Sequence, residues 1–481
     1  MNSTTSRTQN PVTVSASGGR IIGLAADDGS REFLGIRFAT ADRFQAPVDV
    51  VSWEAPIEAF SYGPICHQVP GLLEQMLGTE SGDMSEDCLS LNIFTPGRPI
   101  EGEKKPVLFW IHGGAFTNGS GSLSWYHGGR LAARGTVVVT INYRLGALGY
   151  LGDSNCGTLD QISALRWVQR NIAAFGGDPS NVTIFGESAG GSAVVSLLAS
   201  PDAHGLFRSA WAMSPSINQL RGPDRASEVT GHFLTRLNVS SIEEASTLPV
   251  EDILAAQSDV LAMPSEHYDI FSPVAGGAGL APDLLGEAAR NDVPLVIGTT
   301  RDENRLFSAF DPAASAATAD AWAEFARTIF GDRADEAAKA YESRRPGDSA
   351  AQLVSAVRTD IAFRQPARRL AEARAAAARP TWMYWFTWST PAFGGVLGSC
   401  HALDIPFAFD NLGAPGADMF TGESPQRTAV ADTFAGEIVA LATHAHPSWA
   451  QFDTDHRRTL RIDTKCELLD DPEGDIRALF T

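Results

Sequence analysis

The pentapeptide Gly186-Glu187-Ser188-Ala189-Gly190 lies between a short apolar run, Val182 to Phe185, and a stretch of small and aliphatic residues reaching Leu198. The first run reads as a strand and the second as a helix, so the pentapeptide has to turn the chain sharply between them. Glycines on both sides of the serine let neighbouring backbone approach where a Cβ would clash. A serine at such a turn stands at the top of a sheet with its hydroxyl exposed, the position of a nucleophile. With Gly at 45 of 481 positions the pattern alone is weak, and its meaning depends on whether the partners of a serine nucleophile exist elsewhere.

The flanking chain agrees with a strand at this position. Pro106 to Ile111 and Val137 to Ile141 are continuous apolar runs, the pattern of strands covered on both faces in a mostly parallel sheet. Ile162, Leu165, Val168, Ile172 and Phe175 recur at helical spacing and predict a helix from Asp160 to Phe175, stopped by Gly176-Gly177. Strand, helix, strand, elbow and helix in this order predict an α/β fold with a central mostly parallel sheet flanked by helices. Residues 12 to 39 alternate apolar and polar around turns such as Asp28-Gly29, predicting a small N-terminal antiparallel sheet. Residues 1–11 are polar and are expected to be disordered. Pro294 to Gly298 and Thr381 to Trp388 predict two later strands, and the Ala-rich segment from Asp311 to Arg379 predicts helical insertions between them. The aromatic cluster from Trp382 to Trp388 reads as the core of a strand rather than a stacking surface for ligands.

Length alone would suggest roughly three units at about 150 residues each, but no linker or internal repeat divides the chain. A net charge of -20 disfavours nucleic acid and anionic membranes, since both demand clustered Lys and Arg. No stretch approaches the length of a membrane span, and Met1 to Pro11 lack the apolar core of a secretory signal. The expectation is a soluble, cytoplasmic protein. Its five cysteines form no C-x-x-C pair, and His444 and His446 have no third ligand nearby in sequence, so no metal is expected.

A serine hydroxyl at neutral pH needs an imidazole to take its proton, a carboxylate to orient that imidazole, and donors for the oxyanion. On a doubly wound sheet these groups sit on loops leaving the C-terminal ends of strands. Asp302 and Glu303 follow the strand ending at Gly298, and His401 follows the aromatic strand. Adjacent residues point in different directions, so only one of the two acids can serve, and spacing leaves the choice open. Gly114 and Ala115, in the turn after the strand ending at Ile111, can supply backbone N–H groups to an oxyanion, together with Ala189 at the start of the elbow helix. No phosphate-binding loop or dinucleotide fingerprint competes for these glycines, and no cofactor is expected.

With these residues in place the chain resembles the type-B carboxylesterases, the family of cholinesterases and bacterial para-nitrobenzyl esterases. The resemblance is carried by Phe33 to Ala39, Ser85 to Ile93, His112-Gly-Gly-Ala-Phe116, Asn142-Tyr-Arg144, Gly157 to Gln161, Phe175 to Pro179 and Phe185 to Gly191, in family order from about residue 12. It implies one α/β-hydrolase domain over 12–481 with insertions, in place of three units. It also implies Ser188 as nucleophile, His401 as base, Glu303 rather than Asp302 as the acid, Ser214 as a supporting donor and a disulfide between Cys66 and Cys88. Ala115 stands where the family carries a third glycine, which implies a preference for smaller acyl groups. Residues 67–87 contain no Phe, Tyr or Trp, so the aromatic ring that binds choline in cholinesterases has no counterpart there.

The expected function is therefore cofactor-independent hydrolysis of small-molecule carboxylic esters. Amide or carbamate hydrolysis by the same residues is the nearest alternative. A non-catalytic interaction protein of the same fold is the alternative from another class. Oligomeric state is not readable from these residues.

Overall fold

In the computed structural model, residues 10–27, 29–71, 82–97, 102–264 and 269–480 are described. Residues 1–9 and Asp28, on which two of the expectations fall, lie outside them. In chain order the strands are β1 (Asn10–Ala16), β2 (Gly19–Ala25), β3 (Arg31–Arg37), the two-residue strands β4 (Ala39–Thr40), β5 (Val48–Asp49) and β6 (Ile57–Glu58), then β7 (Ser90–Thr95), β8 (Lys105–Ile111) and β9 (Val137–Ile141). They continue with β10 (Gly177–Glu187), β11 (Ser209–Met213), β12 (Leu295–Thr300), β13 (Thr381–Phe386), β14 (Thr459–Ile462) and β15 (Glu467–Leu469). Asn10 and Pro11 lie in β1 and so belong to the fold rather than to a disordered segment. Their backbone pairs with Ala25 and Leu24 of β2, which fixes them.

One sheet runs β1-β2-β3-β7-β9-β8-β10-β11-β12-β13-β14-β15. The strands from β9 to β14 are mutually parallel, while β1, β2, β3 and β7 pair antiparallel at one side and β15 at the other. The N-terminal antiparallel strands are continuous with the main sheet through the pairing of β3 with β7. On β8, Val107, Phe109 and Ile111 enter one apolar cluster while Leu108 and Trp110 enter another. Successive strand residues point to opposite faces, so an unbroken apolar run is what two covered faces require.

The chain leaves β8 to form β9 on one side and later returns to form β10 on the other. That reversal splays the loops after β8 and β10 apart and opens a crevice at their C-terminal ends, where open α/β sheets place their sites. The elbow and the donor loop both lie at this crevice.

The helix expected from Asp160 spans Cys156–Asn171, followed by a 3-10 turn over Ile172–Phe175. It begins earlier because Asn155, left-handed at φ 46°, is locked by its side chain to Val274 and Ala278. The segment after β12 is helical as expected: Ala319–Phe330, Ala334–Arg344, Ala350–Thr359 and Gln365–Ala376, with a π turn at Asp360–Arg364 joining the last two. The aromatic run ends as a strand at Phe386, and its rings are buried. No helix among the described residues is long and apolar enough to cross a membrane.

Cys66 and Cys88 are buried side by side but are free thiols, so the disulfide that the resemblance implied is not formed. A hydrogen bond between the two sulfurs, reinforced by burial, raises the Cys88 thiol well above its ordinary value and favours the protonated form.

Candidate active site

Ser188 sits at φ 58°, ψ −123°, between the last residue of β10 and the helix Ala189–Leu198. Such a backbone is strained for a residue with a Cβ. It is held by Ser188 N donating to Met213 O at 2.9 Å and by Ser192 N donating to Ser188 O at 2.9 Å. The turn is possible because a Cβ on Gly190 would lie 2.1 Å from Ile111 O, and one on Gly186 would lie 2.6 Å from the same oxygen. Gly190→Ala is accordingly expected to cost about 3 kcal/mol or more, since the obstructing atoms are backbone. Chemical denaturation checks this, and an unshifted midpoint would contradict it.

The donor loop abuts the elbow: a Cβ on Gly113 would stand 3.1 Å from Ser188 Cβ and 2.7 Å from Glu187 O. Gly114, Ala115 and Phe116 all have positive φ, at 104°, 52° and 60°. The curl is closed by Thr117 N and Asn118 N donating to Gly114 O and by Gly119 N donating to Gln68 Oε1. Beneath it His112 stacks on Tyr143 with ring centroids 4.4 Å apart, and Tyr143 Oη donates to His112 O at 2.8 Å. Burial lowers the His112 imidazole to about 4, so it is neutral at physiological pH and packs as an uncharged ring. The amides of Gly114, Ala115 and Ala189 take no acceptor among the described residues, which leaves them available to an oxyanion.

Glu303 and His401, distant in sequence, meet at 2.5 Å between Oε2 and Nδ1. The other oxygen of Glu303 accepts from Ser214 Oγ at 2.6 Å and from Thr300 N at 2.7 Å. Asp302 faces away from the imidazole. Its carboxylate takes Ser399 N at 3.0 Å and lies 3.2 Å from Arg345 and 3.6 Å from Arg305, tying the loop of the acid to the loop of the histidine. Of the two acids that spacing left open, Glu303 is the one whose carboxylate meets the imidazole, with Ser214 beside it.

Two acids that the sequence did not single out complete the site. Glu187 Oε1 lies 3.2 Å from His401 Nε2, the nitrogen that would have to meet Ser188 Oγ. Ser188 Oγ itself makes no hydrogen bond to His401 among the described residues. Asp404, wholly buried, accepts from Tyr384 Oη at 3.2 Å. Burial would lower the His401 imidazole, but Glu187 and then Glu303 outweigh it and raise it above the ordinary histidine value. Burial pushes the Glu187 and Asp404 carboxyls up, in each case opposed by His401. A charged residue at the second position of the elbow was the available signal for Glu187, whereas nothing local marks Asp404. Phe307 and Phe363 flank the imidazole, their ring centroids 5.3 and 4.8 Å from it.

His444 and His446 stack with centroids 5.8 Å apart, and no group of three or more His, Cys, Asp or Glu among the described residues could hold a metal ion.

A crevice with a strained serine, free amides and a carboxylate-bound imidazole can carry out acyl transfer. Relatives point the same way. The chain is 35% identical over 479 residues to para-nitrobenzyl esterase of Bacillus subtilis, covering 94% of this chain and 95% of the relative. It is 34% identical to phenmedipham hydrolase of Pseudarthrobacter oxydans, covering 90% and 87%. Its fold matches a crystal structure of a carboxylesterase from Geobacillus stearothermophilus with a TM-score of 0.84 at 34% identity, over 98% of this chain and 100% of the other. The profile of the Carboxylesterase family matches residues 10–473, and the chain therefore belongs to the carboxylesterase family, as a carboxylic ester hydrolase of α/β-hydrolase fold.

Proposed function

We propose that the chain from residue 10 works as one hydrolase domain that cleaves small neutral esters through an acyl-enzyme. Ser188 Oγ attacks the ester carbonyl while His401 Nε2 takes its proton, and Glu303 stabilises the imidazolium. Gly114, Ala115 and Ala189 donate to the oxyanion. The tetrahedral intermediate expels the alcohol, which takes the proton from Nε2. Water then attacks the acyl group with His401 again as base, releasing the acid and restoring Ser188. The 2.5 Å contact between His401 and Glu303 carries this reading. In the resting site Nε2 faces Glu187, so the imidazole exchanges that carboxylate for Ser188 Oγ as substrate enters. Contacts in an empty site are commonly longer than in the reacting complex.

The methyl group of Ala115 beside the amide donors favours short acyl groups, and the lack of an aromatic ring in residues 67–87 disfavours choline esters. Amide or carbamate cleavage is the second reading, favoured by the similarity to a relative named as a hydrolase of phenmedipham rather than as an esterase. A comparison of matched ester, anilide and carbamate by kcat/KM tests both. The ester reading requires the ester to lead, and a larger value for the carbamate or anilide would replace it.

The pH profile follows from the charges around the base. A base works only when neutral, so activity is lost as pH falls through its pKa, and every carboxylate that raises that pKa moves the acid limb upward. Glu187→Gln is expected to shift the acid limb of kcat/KM to lower pH, leaving Glu303 and Asp404 as the remaining acids around the ring. An unchanged limb, or one moved to higher pH, would show that Glu187 does not act on His401.

A further inference from the structure

Gln68 is a buried polar side chain for which the acyl-transfer steps above have no use. Its Oε1 accepts from Gly119 N at 2.6 Å, and its Nε2 donates to Gly119 O and to Cys66 O, each at 3.0 Å. Two of these three bonds grip a single residue 51 positions away. An amide that pairs with both the N–H and the C=O of one residue fixes that stretch of backbone as a neighbouring strand would.

The residue it grips is the far arm of the oxyanion curl. Gly119 has φ 107°, and a Cβ there would lie 2.6 Å from His112 Nδ1 and 2.7 Å from Gly113 O. A Cβ on Gly114 would lie 2.1 Å from Asn118 O. The arm from His112 to Gly114 and the arm at Asn118 and Gly119 are thus pressed together, and glycine at 114 and 119 keeps side chains out from between them. In so close a packing a shift of Gly119 is passed to the arm that carries the amides of Gly114 and Ala115. The anchor behind Gln68 is firm. Pro64 O accepts from Asn142 Nδ2 at 3.0 Å, Leu145 N donates to Cys66 Sγ at 3.4 Å, and Ile65 N donates to Asp83 O at 2.9 Å. Asn142 Oδ1 also accepts from Gly121 N at 2.8 Å, and Gly146 N donates to Phe116 O at 2.7 Å, so the loop leaving β9 holds both the segment 64–68 and the curl. Gln68 closes that frame at Gly119, between the bonds at Phe116 and Gly121.

We propose that Gln68 is a positioning residue for ester hydrolysis: it does not touch the ester, but it sets where the amides of Gly114 and Ala115 point when the oxyanion forms. The proposal rests on the acyl-transfer reading above. Donors to an oxyanion act because they are already in place, about 3 Å from where the charge develops, and do not reorganise as it forms. A clamp on the arm behind them serves the transition state and leaves binding of the ground state alone, so its loss falls on kcat rather than on KM.

Gln68→Met keeps the length of the side chain and removes all three bonds. With phenyl acetate, kcat is expected to fall about 10- to 100-fold, the effect of a displacement of about 1 Å at a reacting centre, with KM within about twofold of the parent. Competent molecules are counted by exhaustive organophosphonate labelling, so that losses in folding do not enter kcat. Hexyl trifluoromethyl ketone reads the oxyanion directly. Ser188 Oγ bonds to its carbonyl carbon, the hydroxyl proton passes to His401, and the carbonyl oxygen takes the negative charge that the amides hold. Its inhibition constant is expected to rise by the factor by which kcat falls, while that of hexyl methyl ketone, which binds without the addition, stays the same. A lower melting temperature with kcat per site and the ratio of the two ketones unchanged overturns the proposal, as does a loss confined to KM. Should Gln68→Met not fold, Gln68→Glu, which keeps an acceptor for Gly119 N and loses a donor, is judged by the same two readouts. Ser188→Ala, assayed alongside, separates the two levels. Turnover surviving in that variant defeats the underlying acyl-transfer reading, whereas its loss together with an unchanged ketone ratio in the Gln68 variant defeats the positioning role alone.

Discussion

Ser188→Ala is expected to lower kcat by about 10⁴-fold or more on any ester that the parent protein cleaves, with little change in KM. The alanine keeps the Cβ, so the elbow and its bonds to Met213 O and from Ser192 N are retained. The donor loop at Gly113 stands against the Cβ of residue 188 rather than its hydroxyl, and the oxyanion amides are therefore undisturbed. What is lost is the covalent route alone. The residual rate then reports what the amides and His401 achieve on water directly, which for comparable sites is still above the uncatalysed rate. Turnover within tenfold of the parent in a preparation free of contaminating esterase would contradict the role of Ser188.

The second large effect is expected at Glu303. Its Oε1 accepts two donors, Ser214 Oγ and Thr300 N, while Oε2 faces His401 Nδ1. In Glu303→Gln the amide oxygen has to occupy the two-donor side, because an NH2 group there would oppose two donors in a buried site. The NH2 group is thereby turned toward His401, and Nδ1 must accept rather than donate. The ring proton moves to Nε2, where it blocks acceptance of the serine proton, and the charge that steadies the imidazolium is gone. A loss of about 10³- to 10⁴-fold in kcat follows from the wrong tautomer together with the missing charge.

Asp302→Asn provides the contrast. Asp302 does not touch the imidazole but holds Ser399 N, Arg345 and Arg305, so its loss leaves buried arginines under-compensated and is read as a lower denaturation midpoint. Activity per folded molecule falls far less than in Glu303→Gln. If the two variants exchanged these phenotypes, the acid would be Asp302.

The contrast also marks where the sequence stopped being legible. The central strands could be read because two covered faces leave an unbroken apolar run, and the elbow because its glycines answer close backbone approaches at Ile111 O. Asp302 and Glu303 could not be told apart from spacing, since neighbouring acids on one loop differ only in where the backbone aims them. The resemblance implied Glu303, the one of the two that meets the imidazole, without giving the reason. Ser214, donating to Glu303, and Asp404, buried against Tyr384, act through the third dimension and carry no local pattern. The earlier start of the helix at Cys156 is set by the side chain of Asn155 reaching residues near 274 and 278, a tertiary contact that periodicity does not register. The π turn at Asp360–Arg364, which sets Phe363 against His401, was hidden in the same way, because a single inserted residue hardly alters a helical pattern.

Covalent capture reads the formation of an acyl-enzyme on Ser188 independently of turnover. Incubation with an organophosphonate ester carrying a good leaving group, followed by intact-protein mass measurement and peptide mapping, is expected to give one adduct per chain, located on Ser188. Its formation should track the loss of esterase activity and should be abolished in Ser188→Ala. Loss of activity with the label on another residue, or full activity after stoichiometric labelling of Ser188, would rule out Ser188 as the nucleophile.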